Sequence, residues 1–180
     1  MTTKILISGF GGQGVLSMGK ILAYGGLMEG KHVTWMPAYG PEQRGGTANV
    51  TVIISDTPIA SPIHSSFDIV IALNQPSIDK FKDKVKTGGI LIYESDSIIQ
   101  KPAMEDISIY SINAISKAAE MKNPKVFNMI VLGAMLNVCP VISTEGLQRS
   151  LTKSLPSRYH HLIPANMQAV SVGSSCINKA

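Results

Sequence analysis

The sequence predicts an α/β domain with a mostly parallel sheet, extending over residues 1–180. The first observation is that segments typical of strands and of helices alternate along the chain, as a doubly wound sheet requires. The second is size: 180 residues of 44% hydrophobic composition are enough for one core, since a domain usually has about 100–200 residues. The third is that no internal repeat, low-complexity tract or proline-rich linker divides the sequence.

The first predicted unit is a strand, a glycine-rich turn and a helix. Residues 4–8 form a continuous aliphatic run, which is typical of a central strand covered on both faces. The run leads into the turn Gly9–Gly14, and apolar residues from Val15 onward then recur with helical spacing until Gly30. This order is the beginning of a βαβ unit.

The remaining elements follow from hydrophobic periodicity and from turn residues. β-Branched and aliphatic runs predict further strands, and apolar residues at helical spacing predict further helices. The strands are expected over residues 32–36, 47–55, 69–73, 89–93 and 107–110. The helices are expected over residues 76–85, 112–121, 126–138, 144–155 and 159–170. A loop rich in glycine and proline, Pro37–Gly46, separates the second and third strands.

Charge and cysteine content exclude several classes of function. The net charge of +4 is small and dispersed, so no nucleic-acid partner is expected, and the basic cluster Lys80–Lys86 is interpreted as the solvated face of a helix. Cys139 and Cys176 lie far apart, which gives no support for a disulfide framework, a zinc site or an iron–sulfur cluster. The cytoplasm is therefore the expected compartment. The apolar stretch Met129–Ile142 is shorter than the roughly 20 residues of a membrane span, so it predicts a buried helix and no membrane partner.

The glycine-rich turn is the first candidate site. Gly9, Gly11 and Gly14 fit the pattern G-x-G-x-x-G between a strand and a helix, where backbone N–H groups and the positive helix end can hold a phosphate. The pattern leaves two interpretations open, an anion site or only a tight junction between strand and helix. A dinucleotide site would also need an acidic residue roughly 20 residues later, where this chain has Trp35-Met-Pro37.

The loop after the second strand is the second candidate site. Arg44 stands beside Gly45 and Gly46, immediately before Thr47 and the third predicted strand. Its guanidinium could bind a carboxylate or phosphate with two parallel hydrogen bonds, and the glycines would let the backbone approach the same anion. The alternative is an exposed ion pair with Glu42, which would contribute little.

Three motifs together resemble a known family. They are GFGGQG from residue 9 onward, AYGPEQRGGTANVTVIIS from residue 38 and FNMIVLGA from residue 127. The chain is similar over nearly its whole length to the gamma subunit of 2-oxoacid:ferredoxin oxidoreductases, and the second motif looks more like the 2-oxoglutarate and branched-chain members than the pyruvate members. Asn128 in the third motif is interpreted as a hydrogen-bonding residue of a helix.

The resemblance implies a fold and a function. The fold is a Rossmann-like three-layer sandwich, as in the gamma domain of pyruvate:ferredoxin oxidoreductase. The function is that of one subunit of an oxidoreductase of anaerobic ketoacid metabolism, which acts on the oxo group of its donor with an iron–sulfur protein as acceptor. The complex converts a 2-oxoacid, coenzyme A and oxidised ferredoxin to acyl-CoA, carbon dioxide and reduced ferredoxin. The alternative is a free-standing oxidoreductase that binds a dinucleotide at the glycine turn.

The resemblance also implies what this chain does within such a complex. Thiamine diphosphate and the iron–sulfur clusters belong to other chains or domains, and the partners are the alpha and beta subunits, with a ferredoxin-like delta subunit in some complexes. The isolated chain is expected to be inactive, and it could pair with a second copy of itself. No catalytic residue and no metal ligand is assigned to it. The positions carried over as binding residues for a cofactor, with coenzyme A foremost, are Gly9, Gly11, Gly12, Gln13, Gly14, Arg44, Gly45, Gly46 and Thr47.

Overall fold

The structure is a computed structural model that describes residues 1–40 and 46–180. Its strands are β1 Thr2–Phe10, β2 His32–Tyr39, β3 Thr47–Ser55, β4 Phe67–Ala72, β5 Val85–Glu94, β6 Ser108–Ile112 and β7 Asn178–Lys179. Its helices are α1 Val15–Met28, α2 Gln75–Phe81, α3 Ala114–Glu120, α4 Phe127–Val138, α5 Thr144–Ser154 and α6 Ile163–Cys176. Single 3₁₀ segments lie at Lys82–Lys84, Ser95–Ser97, Pro124–Val126 and Ser157–Leu162.

Within the described residues the seven strands form one sheet in the order β2-β3-β1-β4-β5-β6-β7. The strands β1, β4, β5 and β6 pair in parallel, whereas β3 runs antiparallel to both of its neighbours and β7 runs antiparallel to β6. Five strands therefore point the same way, which confirms the predicted α/β class, and β3 and β7 make the sheet mixed. The short strand β7 is not predicted from the sequence.

The reversal of β3 follows from the length of its connection. A parallel crossover needs a dozen or more residues, and the segment between Tyr39 and Thr47 is shorter than that. The chain therefore turns back as a hairpin, and β3 then pairs along the whole of β1, with Thr2 opposite Ser55 and Phe10 opposite Thr47. As a result β3 lies between β1 and β2, and the two parallel strands joined by α1 are not neighbours.

The sheet has a covering layer on each face, because successive side chains of a strand point to opposite sides. Ile5 and Ile7 of β1 face the helices α1, α3, α4, α5 and α6, and they belong to the larger core. Leu6 between them faces the other side, where it packs in a smaller core with Ile78 of α2 and Leu91 of β5. This arrangement is the three-layer sandwich that the resemblance implies.

The apolar stretch Met129–Ile142 is a buried helix followed by a short connection, as predicted. Every residue from Met129 to Met135 in α4 is buried. The helix crosses α6 at two glycines, Gly133 and Gly173, each of which lies against the backbone of the other helix. Among residues 1–40 and 46–180, no helix is long and apolar enough to cross a membrane.

Two predicted helices differ from the structure by more than two residues at one or both ends, and the others by two or fewer. The helix expected over 76–85 ends at Phe81, so the lysine cluster Lys80–Lys86 runs through a 3₁₀ segment into β5 and is not one helical face. Its last member, Lys86, pairs with Asp68 at 2.8 Å between Nζ and Oδ1. The helix expected over 159–170 starts only at Ile163, after a 3₁₀ segment, because proline in its first turn favours a helix start.

Candidate functional site

The turn between β1 and α1 needs glycine at two positions. Gly12 has a φ of 98° and Gly14 a φ of 78°, in the left-handed region where a side chain is strained. Gly14 is also the N-cap of α1, and a Cβ added there would lie 2.9 Å from the side chain of Asn128. Around Gly12 no atom of residues 1–40 and 46–180 lies within 4 Å of such a Cβ. With respect to these residues the turn is open at Gly12 and closely packed at Gly14.

The side chain of Gln13 points into the protein and holds the turn in place. Its Oε1 accepts a hydrogen bond from the N–H of Phe10 at 2.6 Å, and its Nε2 donates to the carbonyl oxygen of Leu73 at 3.3 Å. A Cβ at Gly9 would lie 2.6 Å from that Oε1. Gly9 therefore makes room for Gln13, and Gln13 ties the end of β1 to the end of β4.

The structure brings the two predicted loops together. The N–H of Gly11 donates to the carbonyl oxygen of Gly46 at 2.9 Å, and Thr47 pairs with Phe10 in the ladder between β1 and β3. Arg44 and Gly45 lie outside the described residues. The end of the second loop thus meets the glycine turn, although the two segments are separated in sequence.

A cleft of about 460 Å³ opens at this junction. Its lining combines the turn and the first helical residues with the ends of the hairpin, namely Phe10, Gly11, Gly12, Gly14, Val15, Leu16, Ser17, Tyr39 and Ala48. The first intrahelical hydrogen bond of α1 joins Met18 N to Gly14 O, so the N–H groups before Met18 belong to the unpaired first turn of the helix. The cleft therefore meets the positive end of α1, which attracts an anion.

Two residues that the sequence did not assign to the site lie beside it. Asn128 of α4 packs against Gly14, and Tyr39 on the rim of the cleft is 63% exposed. Asn128 could have been found because it stands in the third motif of the resemblance. Tyr39 could have been found in the same way, because it stands in the second motif, although the local pattern does not show that it reaches the turn.

The residues of this chain do not fit an iron–sulfur cluster. A cluster needs thiolate ligands, usually four cysteines, and the chain has two. Cys139 is half-buried, and burial raises the pKa of its thiol. In the part of the chain that the structure describes, no three His, Cys, Asp or Glu side chains come together in a group that could hold a metal ion.

A family model described as pyruvate ferredoxin/flavodoxin oxidoreductase matches residues 4–176. The chain belongs to this family. Two curated relatives, both 36% identical, are the ketoisovalerate oxidoreductase subunit VorA of Methanothermobacter thermautotrophicus and the 2-oxoglutarate synthase subunit KorC of Methanocaldococcus jannaschii. The match covers 95% of this chain and 35% of VorA, and 87% of this chain and 85% of KorC. The chain thus spans about a third of the VorA length and most of the KorC length.

Solved structures of the family have the same fold. The gamma subunit of a keto/oxoacid ferredoxin oxidoreductase from Geobacter sulfurreducens superimposes with a TM-score of 0.83 at 30% identity, over 98% of this chain and 96% of that one. The 2-oxoglutarate:ferredoxin oxidoreductase from Magnetococcus marinus, with 2-oxoglutarate, coenzyme A and succinyl-CoA bound, gives 0.87 at 26% identity, over 97% of this chain and 30% of that one. The resemblance to the gamma subunit of the family is confirmed.

The topology argues against the dinucleotide alternative. In a dinucleotide-binding fold the strand after the first helix lies beside the first strand, and its acidic end residue binds the ribose. Here β3 lies between β1 and β2, and the end of β2 is Pro37-Ala-Tyr39. The family match over residues 4–176 likewise favours the oxidoreductase subunit over a free-standing dinucleotide enzyme.

We expect Gln13→Ala to lower the free energy of unfolding by about 2 kcal/mol, because it leaves the N–H of Phe10 without its acceptor and removes one of the two hydrogen bonds to Leu73 O. Urea unfolding followed by the fluorescence of Trp35, the only tryptophan, measures this change. Gln100→Ala is the control, since Gln100 is exposed and should change stability by less than about 0.5 kcal/mol. Equal stability of the two variants would mean that Gln13 does not hold the turn.

Proposed function

We propose that this chain is the gamma subunit, or gamma domain, of a thiamine-diphosphate-dependent 2-oxoacid:ferredoxin oxidoreductase. In this reaction the bond between the carbonyl carbon and the carboxylate of the 2-oxoacid breaks and carbon dioxide leaves. The acyl group forms a thioester with coenzyme A, whose thiol releases its proton, and the two electrons pass to ferredoxin. The observation that carries the proposal is the family match over residues 4–176, which spans nearly the whole chain.

The chain contributes structure and binding to this enzyme, not catalytic groups. Its partners are the alpha and beta subunits, with a ferredoxin-like delta subunit as a further partner, and these chains hold the thiamine diphosphate and the iron–sulfur clusters. The names of the relatives support this division, because VorA and KorC are both described as subunits. The content of two cysteines supports it as well, since they cannot ligate a cluster. The complex works in the cytoplasm, in keeping with the free thiols of Cys139 and Cys176.

The cleft at the glycine turn binds an anionic group of coenzyme A. Coenzyme A carries phosphates, and the cleft offers the positive end of α1 with an open approach at Gly12. Gly9 and Gln13 fix the shape of the turn. The second loop completes the site, with Arg44 pairing with a phosphate through its planar guanidinium. The full set is Gly9, Gly11, Gly12, Gln13, Gly14, Arg44, Gly45, Gly46 and Thr47.

The substrate is 2-oxoglutarate or a branched-chain 2-oxoacid. The two relatives at 36% identity are named for ketoisovalerate and for 2-oxoglutarate. The pocket for the oxoacid lies on the partner chains, so substitutions in this chain should leave the choice of oxoacid unchanged.

Co-expression with the alpha, beta and delta chains from the same source tests the proposed function. We expect 2-oxoacid- and coenzyme A-dependent reduction of ferredoxin when this chain is present, and little or none when it is omitted. Full activity without the chain would contradict the proposal. Saturable binding of NAD or NADP by the chain alone, measured as a rise in its melting temperature, would instead favour the dinucleotide enzyme.

A further inference from the structure

A chain of hydrogen bonds crosses the sheet at the carboxyl ends of its parallel strands. Gln13 and Ser97 both reach the carbonyl oxygen of Leu73, at 3.3 Å from Nε2 and 2.9 Å from Oγ. Ser97 also lies against Glu94 at the end of β5, with its N at 2.8 Å and its Oγ at 2.7 Å from Oε2. The other oxygen, Oε1, accepts from the N–H of Ile115 at 3.3 Å. The glycine turn is thus linked to α3 through one buried carboxyl group.

The hydroxyl of Ser97 cannot donate to both of its neighbours. A serine hydroxyl has one hydrogen, and both Leu73 O and an ionised Glu94 Oε2 are acceptors only. If Oε2 carries a proton, it donates to Ser97 Oγ, and the hydroxyl of Ser97 then donates to Leu73 O. In this arrangement each polar atom that links Gln13, Leu73, Ser97 and Glu94 has a hydrogen-bond partner. With an ionised Glu94, one of the two contacts of Ser97 Oγ, to Leu73 O or to Glu94 Oε2, has no hydrogen between its oxygens.

The surroundings of Glu94 also favour the neutral acid. The residue is 0% exposed, and among residues 1–40 and 46–180 no lysine, arginine or histidine forms an ion pair with it. Burial raises the pKa of Glu94, and the charge of Asp96 acts in the same direction. The hydrogen bonds from Ser97 and from the N–H of Ile115 at the positive end of α3 oppose this effect and lower the pKa.

We propose that Glu94 is a neutral carboxylic acid in the folded protein at pH values where exposed glutamates are ionised. We further propose that it is a positioning residue for the glycine turn, acting through Ser97, Leu73 and Gln13. When Glu94 ionises, the hydroxyl of Ser97 turns from Leu73 O to the carboxylate, and Leu73 O keeps only its long bond from Gln13. The turn then loosens at its attachment to β4. This inference does not depend on the proposed function.

The proposal predicts a dependence of stability on pH. A carboxyl group that holds its proton more tightly in the folded than in the unfolded chain stabilises the fold at low pH. That contribution decreases as the pH rises above the ordinary pKa of glutamate, about 4.3, and it levels off once the folded group has ionised. The free energy of unfolding of the wild type minus that of Glu94→Gln should therefore fall with rising pH. The wild type loses stability relative to the variant, because the glutamine does not titrate.

Nuclear magnetic resonance on the full chain labelled with ¹³C at glutamate carboxyl groups tests the protonation state. We expect the Glu94 resonance, identified by its loss in Glu94→Gln, to titrate above the ordinary pKa of glutamate, about 4.3. A Glu94 resonance that titrates at or below this ordinary value would overturn the proposal. If Glu94→Gln fails to fold, infrared spectroscopy of the wild type replaces the resonance measurement. It detects the carbonyl band of a protonated carboxylic acid, which the same ¹³C label shifts. Absence of that band above the titration of exposed glutamates would overturn the proposal equally.

The positioning role has its own readout, which a merely structural residue would not change. In the wild type we expect the side-chain amide of Gln13 and the N–H of Gly12 to shift with the same midpoint as Glu94. In Ser97→Ala, Glu94 should still titrate but the response of Gln13 should disappear, because the hydroxyl that connects them is gone. Glu105→Gln is the control and should leave both titrations unchanged. A Gln13 amide that does not follow Glu94 in the wild type would refute the positioning role.

Discussion

The Gly173→Ala protein is expected to be less stable than the wild type by about 3 kcal/mol. A Cβ at this position would overlap the carbonyl oxygen of Ile130 and lie 2.6 Å from its carbonyl carbon. Both atoms belong to the backbone of α4, which cannot move aside as the end of a flexible side chain can. The added methyl group would therefore force α4 and α6 apart, and α4 is buried from Met129 to Met135.

The sign of this effect is what makes the measurement informative. In an open helix, glycine to alanine stabilises by about 0.5–1 kcal/mol because alanine has the higher helix propensity. Ser171→Ala on the same helix is the control, since its hydroxyl is exposed and bonds only within α6 to Met167 O. It should change stability by less than about 0.5 kcal/mol in urea unfolding. A Gly173→Ala protein as stable as this control would mean that α4 and α6 do not pack at Gly173.

Local patterns were sufficient for the elements next to the site. The aliphatic run before Gly9 became β1, and the helical spacing after Gly14 became α1 with its start at Val15. These predictions succeeded because both elements are buried, so burial and period are visible in a few consecutive residues. Strand direction is different, because it depends on connection length. The predicted loop from Pro37 to Gly46 is too short for a parallel crossover, so its length does indicate that β3 runs antiparallel to β2.

The roles of the individual glycines could not be predicted, because they depend on contacts distant in sequence. A side chain at Gly9 would collide with Gln13 and Leu73. A side chain at Gly14 would collide with Asn128 and would also be strained by the positive φ. The pattern G-x-G-x-x-G gives no sign that Gln13 turns inward or that Gly12 is the open position. Glu94 was not identified for the same reason, since its partners Ser97, Leu73 and Ile115 meet only once the strands are aligned.

Gly12→Asp in the assembled enzyme is expected to raise the KM for coenzyme A about tenfold with little change in kcat, which corresponds to about 1.4 kcal/mol. The position accepts a side chain without collision with the described residues, because none of their atoms lies within 4 Å of an added Cβ, and aspartate tolerates a positive φ better than most residues. The new carboxylate would stand at the positive end of α1 and repel the phosphate proposed to bind there. The increase should shrink as salt is added, because exposed charges are screened.

Gly30→Asp separates this repulsion from backbone strain. Gly30 also has a positive φ, 74°, and in the described part of the chain no atom within 4 Å of an added Cβ, but it follows the other end of α1. Both variants should lose stability, because each places a side chain in the left-handed region. At Gly30 the new carboxylate also lies at the negative end of α1, which adds to the loss. Only Gly12→Asp should weaken the binding of coenzyme A and raise its KM. If both complexes reduce ferredoxin with the wild-type KM, the turn is not the coenzyme A site, although the chain remains a subunit of the enzyme. A raised KM in Gly12→Asp alone would assign the anion to the glycine turn, since both variants add the same carboxylate at a glycine of positive φ.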